Sequence, residues 1–190
     1  MGRLNFFDLH KYGADFDVFI EAGTGKGLGV EYASKFNFKM LYSIEYVASL
    51  YEEAKKQFEN VQNITILKGN SWEVFKLIFP MLKASKCVFW LDAHIPGVDY
   101  GLADFFDEKD NPDVMAPLVK ELETIKSMRK DQDIILIDDL RFYKKDEFEN
   151  GNLEDCHMFK GYDRIIALFD KSHHIEKHLD DDGYLEMRPK

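Results

Sequence analysis

Glu21, Glu45, Asp92, Asp138 and Asp139 share a property that matters for chemistry: each ends or directly follows a short apolar run. Asp92, Asp138 and Asp139, if gathered at one place, repel each other unless a cation or protons intervene. Oxygen ligands without cysteine and with little histidine suit Mg²⁺, Mn²⁺ or Ca²⁺ better than zinc. His94 stands two positions after Asp92 and is of the residue type that titrates near neutrality, so it could remove a proton there. Structural roles stay open at this point. Asp138 could cap a loop, Asp139 could pair with Arg141, and His94 could bond the backbone.

The densest signal is Glu21-Ala22-Gly23-Thr24-Gly25-Lys26-Gly27, an apolar run passing into glycines at alternate positions. Gly23, Gly25 and Gly27 let the backbone turn tightly and let a ligand lie against it. Glu45 follows Gly25 by 20 residues, where an acid can accept both hydroxyls of a ribose. Dinucleotide sites place a pyrophosphate at such a turn, and the Glu21 carboxylate would repel it. The same carboxylate suits the cationic amino-acid end of S-adenosylmethionine. A triphosphate loop is disfavoured, because Gly27 stands where a magnesium-binding Ser or Thr is required after Lys26. A cap on the next helix is the structural alternative for both Glu21 and Glu45.

These residues need elements to hold them. The apolar runs Asp17 to Glu21, Lys39 to Glu45, Ile64 to Leu67, Cys87 to Leu91 and Ile134 to Ile137 read as parallel strands buried on both faces. Helices are predicted at about Gly27–Phe36, Ala48–Glu59, Trp72–Leu82 and Pro117–Met128, and Leu50, Ala54 and Phe58 give the second an apolar face. From about Arg164 the chain reads as one further strand, then an antiparallel pair of edge strands turning at Asp182-Gly183. The fold class is α/β: a Rossmann-like three-layer α/β/α sandwich on a mostly parallel seven-stranded sheet with a C-terminal antiparallel hairpin, one domain over residues 1–190. Ligands of such sheets sit beyond the carboxyl ends of the strands, so the acids above point to one site.

Residues from about Phe16 to Leu140 resemble the class I methyltransferases, which bind S-adenosylmethionine. Five places match in order: Glu21–Gly27, Glu45, Gly69-Asn70-Ser71, Leu91-Asp92 and Ile137-Asp138-Asp139. The resemblance implies that Gly23 and Gly25 line the methionine portion, that Glu45 holds the ribose, and that Asn70 and Ser71 lie by the adenine. Asp92 followed by Asp138-Asp139, with Leu82 closing an apolar helix after Gly69-Asn70-Ser71, is similar to the metal-dependent O-methyltransferase branch. That implies Mg²⁺ or Mn²⁺ held by Asp92, Asp138 and Asp139, and an acceptor hydroxyl whose pKa the ion lowers. The branch often keeps its base three positions after the Asp, whereas His94 is two on. Leu-Asp-Ala-His94, Pro117-Leu-x-x-Glu-Leu-Glu123 and Ile-Asp-Asp-Leu-Arg141 also look like small methyltransferases of surface-sugar modification.

The expected activity is therefore methyl transfer to a hydroxyl of a glycan or other small molecule, with S-adenosylhomocysteine as product. Alternatives are a metal-independent transferase on an O or N acceptor, with Asp92 and His94 acting directly, and a non-catalytic cofactor-binding module. A net charge of −10, from 35 acidic and 25 basic residues, disfavours a nucleic-acid partner. No apolar stretch approaches the roughly 20 residues of a membrane span, and no signal pattern opens the chain, so a cytoplasmic protein is expected. Phe6 stands where a myristoylation signal at Gly2 needs Ser or Thr. Cys87 reads as core, Cys156 as polar surroundings, and His173, His174 and His178 as surface residues. The acidic stretch from His94 to Pro117 reads as a lid that helps choose the acceptor, with Tyr100, Phe105 and Phe106 free to stack on it. A similar element is expected near Arg141–His157. Self-association and partner domains are left open.

Overall fold

The computed structural model describes residues 3–12, 15–102, 111–153 and 161–190. Seven strands form one sheet: β1 (Val18–Ala22), β2 (Met40–Glu45), β3 (Ile64–Lys68), β4 (Cys87–Leu91), β5 (Ile134–Ile137), β6 (His173–His178) and β7 (Tyr184–Pro189). Their order is β3-β2-β1-β4-β5-β7-β6. The first five are mutually parallel and β7 is antiparallel to both of its neighbours. The described α-helices are α1 (Leu28–Ala33), α2 (Ala48–Gln57), α3 (Ser71–Ile78), α4 (Pro112–Met115), α5 (Leu118–Met128) and α6 (Tyr162–Phe169), with short 3₁₀ turns between elements.

The strands bury both faces, and alternate residues feed two cores. Val18, Ile20 and Ala22 of β1 join Cys87, Phe89 and Leu91 of β4 in a core with α3, α5 and α6. Phe19, Val88 and Trp90 face the other way, into a core with α1, α2 and the N-terminal segment. Leu50, Ala54 and Phe58 are buried as their spacing requires. Trp72–Leu82 divides: α3 ends at Ile78, and a 3₁₀ turn over Phe79–Leu82 accommodates Pro80. Cys87 is fully buried, beside the Arg129–Asp133 ion pair.

Three expectations for the C-terminal third are corrected. The segment read as a strand from Arg164 is helix α6, which buries Ile165 and Phe169 four residues apart on one face. The hairpin turning at Asp182-Gly183 is present, yet only β6 is an edge, because β7 is inserted between β5 and β6. His173 is buried rather than exposed, its Nε2 3.0 Å from the Asp133 carbonyl and its Nδ1 2.9 Å from Ser172 Oγ. Burial pushes its pKa down. His174 is exposed, and His178 faces Glu186, so the three do not share a site. No helix among the described residues is long and apolar enough to cross a membrane.

Candidate functional site

β1 and β4 are neighbours, as are β4 and β5, so the chain leaves three adjacent strands at the same edge of the sheet. Backbone bonds extend the ladder one step past the strands. Asp92 N–H donates to the Ala22 carbonyl at 3.0 Å, and Asp138 N–H to the Leu91 carbonyl at 3.1 Å. This register sets Gly23, Asp92 and Asp138 side by side. A cleft of about 910 Å³, open mouth included, runs along this edge and is lined by Glu21, the glycine turn, Glu45, Asn70, Ser71, Asp92 and His94.

At the cofactor end, Gly23, Gly25 and Gly27 all have positive φ (+91°, +51° and +77°), which a side chain would strain. A Cβ at Gly23 would stand 2.6 Å from the Asp92 carbonyl oxygen, so the close approach of the two strand ends also demands glycine. Glu45 accepts from Gly25 N–H at 2.8 Å through Oε2 and from Val47 N–H at 2.7 Å through Oε1. The Tyr46 N–H bonds the same carboxylate, whose remaining lone-pair capacity is open to a further donor. Glu21 is buried under the turn, accepting from Ser43 Oγ at 2.5 Å and from the Val30 N–H of α1. It therefore caps α1 as well as lining the cleft. Burial, reinforced by the charge of Glu45, pushes its pKa up to about 8. Asn70 Nδ2 lies 3.2 Å from Glu73, and the Ser71 hydroxyl bonds the carboxyl of Glu121.

At the other end, His94 lies between two acids. Its Nε2 is 3.1 Å from Asp139 Oδ2 and its Nδ1 is 3.8 Å from Asp92 Oδ1. Phe142 packs on the imidazole with ring centroids 4.8 Å apart. Asp92, His94 and Asp139 each offer a ligand atom, all within 4.8 Å of one another, an arrangement that could hold a metal ion. Asp138 stands behind this group: its carboxyl is hydrogen-bonded to that of Asp92, and its Oδ2 is buried without a partner. Burial, then the charges of Asp139 and Glu21, hold Asp92 well above the usual carboxylate range; burial, then the charges of Asp92 and Asp139, do the same for Asp138, and Asp139 is raised by burial. Arg141 is 2.7 Å from Asp182 and 3.9 Å from Asp139, so its charge is mostly committed to Asp182.

The sequence placed Tyr100 with the acceptor, but its hydroxyl lies on the glycine turn, where a Cβ at Gly25 would fall 2.0 Å from it. Phe105, Phe106, Cys156 and His157 lie outside the described residues. In a second acid–histidine group, Glu176, His178 and Glu186, both carboxylates are already partnered, Glu176 by Arg188 at 2.8 Å and Glu186 by Tyr12 at 2.5 Å.

Glu121 enters the sequence reading only as the first Glu of Pro117-Leu-x-x-Glu-Leu-Glu123, with no role of its own. It sits on the apolar face of α5 between Leu118 and Leu122, and its only signal is an acid at a core position. It is fully buried, its Oε2 has no partner, and burial pushes its pKa up to about 8. Like Glu21, it keeps a proton in the folded protein up to about pH 8, whereas the unfolded chain releases it near the ordinary value of 4.5. Between those values the unfolded state binds fewer protons, so stability falls as pH rises from about 4.5 to 8 and then levels. Glu121→Gln keeps an oxygen for Ser71 and cannot ionise. It is expected to stabilise the protein by on the order of 2 kcal/mol at pH 8 and to leave it nearly unchanged at pH 5. Thermal melts at both pH values check this, and equal shifts would contradict it.

No family model matches the sequence, and no curated protein matches it. Solved structures are similar across nearly the whole chain. A candidate caffeoyl-CoA O-methyltransferase from Staphylococcus aureus superposes with a TM-score of 0.62 at 14% identity, covering 99% of this chain and 84% of that one. A candidate methyltransferase from Streptococcus mutans, solved with S-adenosylhomocysteine, gives 0.60 at 10% identity, covering 98% and 97%. The O-methyltransferase TomG from Streptomyces achromogenes, solved with S-adenosylmethionine, gives 0.51 at 11% identity, covering 93% and 74%. Strand order, glycine turn and acid positions together give this chain the fold of the S-adenosylmethionine-dependent methyltransferases.

Proposed function

We propose that the protein binds S-adenosylmethionine in this cleft and transfers its methyl group to a hydroxyl of a sugar, glycan or other small molecule, assisted by a divalent cation. The observation that carries the reading is the continuity of one cleft from the Glu21–Glu45 end to Asp92 and His94. Glu45 would accept from the ribose hydroxyls, and Gly23 and Gly25 leave room for the methionine chain. Glu21, ionised above about pH 8 when the cleft is empty, would be held ionised by the cofactor's ammonium group. Asn70 and Ser71 line the same cleft at the end of β3, where an adenine would lie.

The bound cofactor supplies a methyl group on a sulfonium. The acceptor oxygen would take that methyl as the carbon–sulfur bond breaks, with S-adenosylhomocysteine leaving and the acceptor's proton passing to His94 or Asp92. The donor atoms of Asp92, His94 and Asp139 fit a small divalent ion, and Asp138 stands behind them with one buried oxygen unpartnered. Such an ion lowers the pKa of a bound hydroxyl and orients it. Phe142 and Asp139 fix the plane of His94, and Asp138 shares a proton with Asp92, which limits the charge left unbalanced. Lys26 is the single Lys or Arg among the described lining residues, and it is paired with Glu53 at 2.6 Å. That acidic lining supports an acceptor without phosphate or carboxylate, as a sugar hydroxyl is.

The His94–Asp139 contact also favours a second reading. Asp139 would orient the imidazole, and the other ring nitrogen would take the acceptor's proton without a metal. Labelled methyl transfer to neutral sugars and catechols separates the two when run with and without a chelator. The metal-assisted reading expects activity to vanish with chelator and return with Mg²⁺ or Mn²⁺. Chelator-resistant transfer would move the assignment to His94 alone, and absence of transfer to any hydroxyl acceptor would count against O-methylation.

A further inference from the structure

Tyr100 closes a one-turn 3₁₀ helix, Val98–Tyr100, between two glycines in the left-handed region, Gly97 (φ +78°) and Gly101 (φ +65°). Its ring reaches back from the β4 loop to the β1 turn. The Lys26 N–H bonds its hydroxyl oxygen, and the Lys26 ammonium sits 5.8 Å from the ring centroid. Tyr100 lines the same cleft as Glu45 at one end and Asp92 and His94 at the other, and burial raises its pKa. Glu45 meanwhile holds Gly25 N–H at 2.8 Å, so a ribose bonded to Glu45 must lie against Gly25. The phenol already stands on Gly25. Ribose and phenol cannot share that place.

We propose that Tyr100 gates the cofactor groove: its phenol fills the segment between the ribose and methionine positions when the groove is empty, and a nucleoside sulfonium ligand enters only after Tyr100 swings away on Gly97 and Gly101. The inference rests on the reading of the cleft as a cofactor site. The glycines supply the freedom, since their φ values are reached without the strain of a side chain, and a Cβ at Gly101 would meet nothing within 4 Å. The phenol itself is held by one hydrogen bond, from the Lys26 N–H, and a half-exposed cation–ring contact, so its closed position is favoured modestly; the turn that carries it keeps its own bonds, Tyr100 N–H and Leu102 N–H to the Gly97 carbonyl at 3.2 and 3.0 Å. A ligand that binds only the open form has its apparent affinity reduced by the open fraction. If the phenol instead lay beside the bound cofactor as a contact, its removal would weaken binding.

Calorimetric titration of S-adenosylhomocysteine into wild type, Tyr100→Phe and Tyr100→Ala, with stopped-flow association rates, decides between these. Tyr100→Ala is expected to bind about tenfold more tightly with a faster association rate. Tyr100→Phe, which keeps the ring and loses the Lys26 bond, is expected to gain about threefold. Unchanged or weaker binding in Tyr100→Ala overturns the gate while leaving the cofactor site standing. Absence of binding in wild type and both variants overturns the cofactor reading and the gate with it.

Discussion

Glu45→Ala is expected to weaken S-adenosylhomocysteine binding by about 100- to 1000-fold. Two ribose hydroxyls donating to one ionised carboxylate are charge-assisted bonds, each worth about 1.5–3 kcal/mol. The groups around Glu45 make the loss larger. The same two oxygens fasten the Gly25 and Val47 N–H groups, so truncation also loosens the glycine turn that receives the ligand. Glu45→Gln keeps one acceptor oxygen and is expected to fall between, at about tenfold. Calorimetry on both variants, with circular dichroism to establish that each is folded, checks the ordering. A loss under about threefold for Glu45→Ala would place the nucleoside elsewhere.

The second large effect is expected in turnover rather than binding. Asp139→Asn should lower kcat by about 1000-fold while S-adenosylhomocysteine affinity changes by less than about threefold. Asp139 contacts His94 Nε2 at 3.1 Å and is not among the residues lining the cleft. The substitution retains the residue's shape, and Asn tolerates its left-handed backbone (φ +50°), so the fold should be kept. What it removes is one charged donor of the Asp92–His94–Asp139 group and the carboxylate that orients the imidazole. An intact kcat in Asp139→Asn would leave both the cation and the oriented histidine without support.

The parallel core was legible because CVFWL and IILI are short and apolar on every residue, as strands covered on both faces are. The glycine turn and its acids were legible for a similar reason: their spacing is tied to strand ends, and parallel strands bring their ends together. Arg164 to Phe169 was misread because Ile-Ile-Ala-Leu-Phe is as apolar as a strand, and only its docking on α5 decides for a helix. Glu121 had no role assigned from sequence beyond its place in Pro117–Glu123, since helical periodicity does not say which polar residue will face a buried serine. The position of Tyr100 depends on how a glycine-hinged loop folds back, and no local pattern encodes that. The same holds for His94, whose spacing from Asp92 was visible and whose contact with Asp139 was not.

Titration of S-adenosylhomocysteine into the wild-type protein, alone and with Mg²⁺ or Mn²⁺, tests the central claim most directly. Binding at one site in the micromolar range, displaced by S-adenosylmethionine, is the predicted result. No heat up to millimolar ligand, with or without the ion, would contradict it and leave the same fold with a cleft built for another occupant.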